Sequence, residues 1–178
     1  MIRALAASAI LLAQPAGARV LAGAIVQQDG AGRFVVLSDD LPLAVGEDVF
    51  NTPDLFAFDE AQAITLAAPL GLDIGAPIPA GTVVSLHHVF FDGTGGRQRA
   101  TVVFDGPILG VATGAVMLAA TDDLAATDVH YIDTPLRGIE QGDLVWIDPD
   151  DPHRLWVDWA GSSPGDHLRV VTGLPPMM

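Results

Sequence analysis

Short apolar segments, cut apart by turns rich in aspartate, glycine and proline, constrain this chain more than anything else in it. Among 178 residues there are 19 Asp, 19 Gly and 13 Pro, against three Glu and no Lys. Asp, Gly and Pro each favour turn geometry for their own reasons, while Glu and Lys are the usual formers of surface helices. A chain punctuated this often has little room for long helices. It is expected to fold as strands.

The segments themselves bear the strand signature. Val20 to Gln28 (VLAGAIVQQ) and Arg33 to Leu37 flank Asp29-Gly30-Ala31-Gly32, a hairpin signal because both turn positions tolerate positive φ. Ser38 to Pro53 reads as a loop. Short strands are expected at Leu55 to Phe58, Ala63 to Leu66 and Leu72 to Ile74. Thr82 to Phe91 (TVVSLHHVFF) is the strongest, being long, β-branched and aromatic, and apolar on both faces near its end, as a central buried strand would be. Further strands follow at Arg99 to Phe104, Ile108 to Thr113, Val129 to Ile132, Asp143 to Ile147, Arg154 to Trp159 and His167 to Thr172. Val116 to Ala126 is the one helix candidate, with Thr121 or Asp122 available to cap a shorter turn. About ten strands at this spacing predict a single all-β domain, an antiparallel β-sandwich of jelly-roll-like kind with at most one short helix.

The first eighteen residues read differently. Arg3 supplies a positive start, Ala4 to Ala13 is an apolar run too short to span a bilayer, and Ala16-Gly17-Ala18 matches a signal-peptidase site. Residues 1-18 are therefore expected to be a signal peptide, leaving a domain over 19-178 that is secreted or periplasmic, with no membrane span. The chain has no cysteine, which excludes disulfides, thiol nucleophiles, thiolate zinc sites and iron–sulfur clusters. Its formal net charge is -14. Such a surface repels phosphate backbones and anionic lipid heads, so nucleic acid is not an expected partner.

Several blocks occur in a suggestive order: NTPDLFAFDEAQAITLAAPLGLDI (Asn51 to Ile74), AGTVVSLHHVFFD (Ala80 to Asp92), VVFDGPILGVAT (Val102 to Thr113), LAATDDL (Leu118 to Leu124), RGIEQGD (Arg137 to Asp143) and SSPGDHLRVVTG (Ser162 to Gly173). Together they resemble a family of exported bacterial β-rich proteins, many of which carry a Pro-Glu-Pro C-terminal sorting signal processed by exosortase. The resemblance implies an exported β-rich domain, tethered at the envelope or released into extracellular matrix. As the sequence also assembles no catalytic constellation, a non-catalytic binding or structural module of the cell envelope or extracellular matrix is expected, with extracellular polysaccharide or another surface protein as partner. After Gly173 the sequence has no Pro-Glu-Pro motif, apolar tail or basic cluster, so no anchor of that kind is expected.

Three groups of residues carry the chemistry that can be read from sequence. Asp148, Asp150 and Asp151 place hard oxygen ligands in one turn, the donor type that suits Ca²⁺, although Asp is also an ordinary turn residue. The same ambiguity attaches to Asp39, Asp40, Glu47, Asp48, Asp122 and Asp123. Trp146, Trp156 and Trp159 lie near Glu140 and Asp143, which points to a carbohydrate-binding surface, calcium-stabilised in one version. A small hydrolase or lyase using Glu140 and Asp143 is the enzymatic alternative, since a glycosidase needs two carboxylates flanking a sugar. His87 and His88 are adjacent on one strand and must face opposite ways, and His130, His153 and His167 each stand alone; all read as structural histidines. Ser162 and Ser163 precede Asp166 and His167 but lack a nucleophile elbow. No cofactor motif is present.

Overall fold

The computed structural model describes residues 16–38, 43–45, 50–93, 95–126, 128–132, 135, 137–161 and 165–176. Residues 1–15, which hold most of the expected signal peptide, and Asp39, Asp40, Glu47, Asp48, Ser162 and Ser163 lie outside the described residues. Among the described residues the fold is mostly β, with 47% of them in strands, three sheets and one short helix. Strands run β1 (Val20–Gln28), β2 (Phe34–Val36), β3 (Leu43–Val45), β4 (Leu55–Asp59), β5 (Ile64–Thr65), β6 (Ile74–Gly75), β7 (Val83–Phe91), β8 (Arg97–Phe104), β9 (Ile108–Ala112), β10 (Val129–Tyr131), β11 (Leu144–Ile147), β12 (Arg154–Ala160) and β13 (Asp166–Thr172). Helix α1 (Ala115–Thr121) runs into a 3₁₀ turn, Asp122–Leu124. Thr121 does not cap that turn; its hydroxyl bonds back to the carbonyls of Met117 and Leu118.

One sheet has the order β1-β8-β12-β11 and is antiparallel throughout. The larger has the order β2-β4-β7-β13-β9-β6, with β5 also paired to β7. The two pack face to face. Ala100, Val102, Phe104, Leu155, Val157 and Trp159 from the smaller sheet meet Leu55, Ala57, Val89, Phe91, Leu168 and Val170 from the larger in one buried cluster. Alternation of side chains decides which residues these are: in β12 the odd positions Leu155, Val157 and Trp159 are fully buried. Burying each such side chain contributes about 1.5–3 kcal/mol, so this interior dominates stability.

Strand β7 is central, as its two-sided apolar pattern requires. Val89 and Phe91 face the interior, while Val84, Leu86 and Phe90 belong to two further clusters on the sheet's other face. That second face is covered in part by a small parallel pair, β10 with β3, whose Val45, Val129 and Tyr131 pack over Phe56, Phe58 and Phe90.

Two local expectations are corrected. The Asp29–Gly32 turn does not make a hairpin: β1 pairs with β8, whereas β2 pairs in parallel with β4 in the other sheet. Here the turn carries the chain across the sandwich. The Asp29 N–H donates to the Arg97 carbonyl, Arg33 N–H to Asp54, and a Cβ on Gly32 would collide with the Pro53 carbonyl. The loop over Ser38 to Pro53 also contains a strand, β3, which becomes one only by pairing with β10, eighty-odd residues away in sequence.

Candidate functional site

The outer face of the four-stranded sheet is built by the residues that alternate with the core. Strand β12 turns Arg154, Trp156 and Asp158 outward, and β8 turns out Arg97, Arg99, Thr101 and Val103. Trp146 in β11 stands directly opposite Trp156. Their rings are parallel to within 1°, with centroids 5.6 Å apart, an offset stack. The Trp156 Nε1–H donates to Asp148 Oδ2 at 2.9 Å. The ring is thus fixed both by its neighbour and by its own polar edge. Beside it runs a groove of about 320 Å³ lined by Ala22, Gly23, Ala24, Val26, Thr101, Val103, Arg154 and Trp156.

Further along the same face lies a polar cleft of about 220 Å³, bordered by Gln27, Gln28, Asp29, Arg97, Arg99 and Asp158. Asp158 holds both arginines. Its Oδ1 accepts from Arg97 Nε at 2.6 Å and its Oδ2 from Arg99 Nε at 2.9 Å and from Arg99 Nη2. Burial pushes the Asp158 carboxyl up, but the hydrogen bonds and charges of Arg99 and Arg97 outweigh it and hold the group below the usual carboxylate range. Arg97 Nη2 also donates to the Gly142 carbonyl.

The sequence-predicted residues divide between surface and support. Trp146 and Trp156 line up on this face; Trp159 is fully buried in the core, its Nε1–H donating to Gln98 Oε1. Asp143 serves the turn before β11, its two oxygens accepting the Glu140 and Ala160 N–H groups. Glu140 is exposed beside it. Asp148 accepts from Trp156 and from the Asp150 N–H and pairs with Arg154, while Asp151 accepts from the His153 N–H and pairs with the same arginine. Asp150 is exposed. Among the described residues, no three His, Asp or Glu side chains converge so as to hold a metal ion.

Two polar assemblies escaped the sequence reading. On the covered face of the larger sheet, the buried Arg169 grips Glu60 through Nε at 2.6 Å and Nη2 at 3.0 Å, and donates through Nη1 to Thr121 Oγ1 and the Leu118 carbonyl. Its Nη2 also lies 3.0 Å from Asp122, which Arg137 holds in a two-pronged pair. Tyr131 donates its hydroxyl to Glu60 and lies beneath both guanidiniums, whose carbons stand 4.9 and 5.1 Å from its ring centre. Burial raises the Glu60 carboxyl, but Arg169 and His88 overcome it, so Glu60 is held far below its usual range. Burial lowers the pKa of His88 despite Glu60, which keeps the imidazole neutral. The network then assigns its Nδ1–H to Glu60 and its Nε2 as acceptor from His167 Nδ1–H, 3.3 Å away. Two acids, the buried Glu60 and the part-exposed Asp122, face two buried arginines, so the charges balance.

Within the sandwich, Asp59 Oδ1 accepts from His87 Nδ1–H at 2.6 Å, and His87 Nε2 meets Thr172 Oγ1 at 2.9 Å. The residue types match a hydrolase triad, yet His87 and Thr172 have no exposed surface, and Arg19 and Val20 close over Asp59. None of the residues in either assembly lines the groove or the cleft. The sequence did contain a signal. Asp59-Glu60 on one strand and its extension, and His87-His88 on the next, are adjacent pairs whose members point to opposite faces, so each sheet face receives one acid and one imidazole.

No protein-family model, curated protein or solved structure matches this chain.

Proposed function

We propose that this protein is an exported, non-catalytic binding or structural module of the cell envelope or extracellular matrix, and that the outer face of its four-stranded sheet is the surface it presents. One observation carries the reading: the immobilised Trp146–Trp156 stack, whose rings lie half-buried on the outer face of the four-stranded sheet instead of in the core. A surface aromatic whose orientation is already fixed has little conformational freedom to lose on binding, which favours recognition. The Asp59–His87–Thr172 set is sealed in the interior, and Asp143 is engaged in holding a turn. Leader removal near Ala18 would deliver the domain outside the cytoplasm.

Co-sedimentation with insoluble envelope and matrix polymer tests this directly. Wild-type protein is expected to sediment with it, and Trp156→Ala to remain in solution with its melting temperature little changed. Undiminished sedimentation of a folded Trp156→Ala variant overturns the assignment of the face. Turnover of a glycoside or ester substrate, abolished by Asp143→Asn or Glu140→Gln, overturns the non-catalytic reading.

A further inference from the structure

We infer that the occupant of this face is an uncharged glycan chain, laid along β8 from the tryptophan groove to the arginine cleft; this rests on the binding reading above and names its ligand. The groove and the cleft are consecutive on one surface. Outward residues Val103, Thr101, Arg99 and Arg97 of β8 form its floor, with β1 on one side and β12 on the other. Six residue rises give a track of about 20 Å, the length of a short oligosaccharide rather than of a single sugar.

Three physical features select the ligand. The first is the aromatic wall. Trp156 lines the groove while Trp146 stacks parallel to it, so a rigid apolar ring, braced by its neighbour, stands beside the small side chains of Ala22, Ala24 and Thr101. The apolar C–H face of a pyranose matches such a plane.

Charge is the second. Each arginine on the track already has a carboxylate: Arg97 and Arg99 share Asp158, and Arg154 reaches Asp148 at 3.5 Å and Asp151 at 3.1 Å. An anionic polymer would have to displace those acids and approach a chain of net charge -14. A cationic one would have to displace the arginines.

The third is hydrogen bonding without net charge. The cleft offers the exposed Gln27 amide and a paired guanidinium–carboxylate rim, while the Gln28 amide beside them is tied to Gly32 and Gln98. Donors and acceptors side by side suit neighbouring hydroxyls. A protein partner would have to bury the Arg97–Asp158–Arg99 pair in a dry interface, where desolvation opposes binding, whereas a glycan leaves it partly hydrated.

The test is calorimetric titration of the folded protein with cellohexaose, xylohexaose and mannohexaose, set against polygalacturonate. At least one uncharged hexaose is expected to bind with an affinity that barely changes between low and high salt. Trp156→Ala should weaken it about tenfold or more, and Trp156→Phe should restore much of the loss. If Trp156→Ala does not fold, Ala24→Arg, which fills the groove from an exposed position, should abolish binding in its place. Salt-sensitive binding of polygalacturonate alone, or of none of the four while matrix polymer still sediments the protein through Trp156, overturns the glycan class and leaves the binding face standing. Hexaose binding that survives both folded variants overturns the face itself.

Discussion

The two sheets of this sandwich treat the same chemistry in opposite ways on their outer faces. On the four-stranded sheet, Asp158 joins Arg97 and Arg99 at the edge of an open cleft, and the two arginine side chains are 46% and 47% exposed. On the larger sheet, Glu60 and Asp122 join Arg169 and Arg137 beneath β10 and α1, and the Arg169 side chain is fully buried. Water decides what each arrangement is for. The Asp158 carboxylate is only 8% exposed, but the arginines that hold it stand nearly half in water. The pair is therefore screened on its outer side, and an arginine can turn to a ligand at modest cost. A buried pair has already lost its hydration and holds only while every partner stays in place. One face is suited to binding; the other locks the covering elements onto the sheet.

The largest effect should come from breaking the lock. Arg169→Met leaves Glu60 buried without its cation and is expected to cost about 3–5 kcal/mol in urea unfolding, if the variant folds at all. Arg99→Gln, on the open face, should change stability by less than about 0.5–1 kcal/mol. Equal costs for the two would erase the contrast. Acid should act through the same lock: Glu60 is held far below its usual range, so its contribution is complete above the ordinary carboxylate pKa and is lost as pH falls through its own lowered value. The two outward and inward tryptophans give the next comparison. Trp159→Ala in the core should cost about 3–5 kcal/mol, while Trp156→Ala should lose binding and little stability.

A third effect is smaller and runs with pH. Burial, with Asp143 and Glu140 nearby, pushes the Asp166 carboxyl up to about 8 from an ordinary 3.8, and its Oδ2 is buried without a hydrogen-bond partner among the described residues. The folded chain therefore keeps a proton that the unfolded chain releases. Stability is fullest below the ordinary value and declines as pH rises toward about 8. Asp166→Asn should remove that decline, stabilising the protein by about 1–3 kcal/mol at alkaline pH and hardly at all in acid. A thermal melt series across pH measures it; a variant whose melting temperature follows the wild-type curve throughout would show that Asp166 is not the group responsible.

The smallest concerns the amino end. Ala18 is fully buried, its N–H donates to Ser85 Oγ, and Gly17 fits so tightly that a Cβ there would meet Gln62. A chain beginning at Gly17 should be about 1–2 kcal/mol more stable than one beginning at Arg19, by the lost methyl and hydrogen bond. Denaturant midpoints of the two purified forms settle the difference. Equal midpoints would mean that the new Arg19 ammonium, already beside Asp105, compensates for both losses.

The all-β sandwich was legible because period-two alternation and turn chemistry are local signals; Leu155, Val157 and Trp159 announce a buried face by spacing alone. What was hidden is long-range. Glu60, Arg169, Tyr131 and Asp122 are 109, 71 or 15 residues from their partners, and no spacing in the sequence links them. The Asp29–Gly32 turn misled because a turn sequence fixes local backbone and not which sheet the next strand joins. The tryptophans were visible as a group, but only alternation along β12 sorts Trp156 outward from Trp159 inward. Nor could the sequence show that Trp156 and Arg154 engage Asp148 and that Arg154 also reaches Asp151.

Amide-shift mapping in a titration with cellohexaose, xylohexaose and mannohexaose tests the central contrast most directly. Perturbations confined to residues 22–29, 97–103 and 154–158, with Glu60, His88, Tyr131 and His167 unmoved, are what the two-face account requires. Shifts centred on those four buried residues, with the tryptophan groove silent, would contradict it.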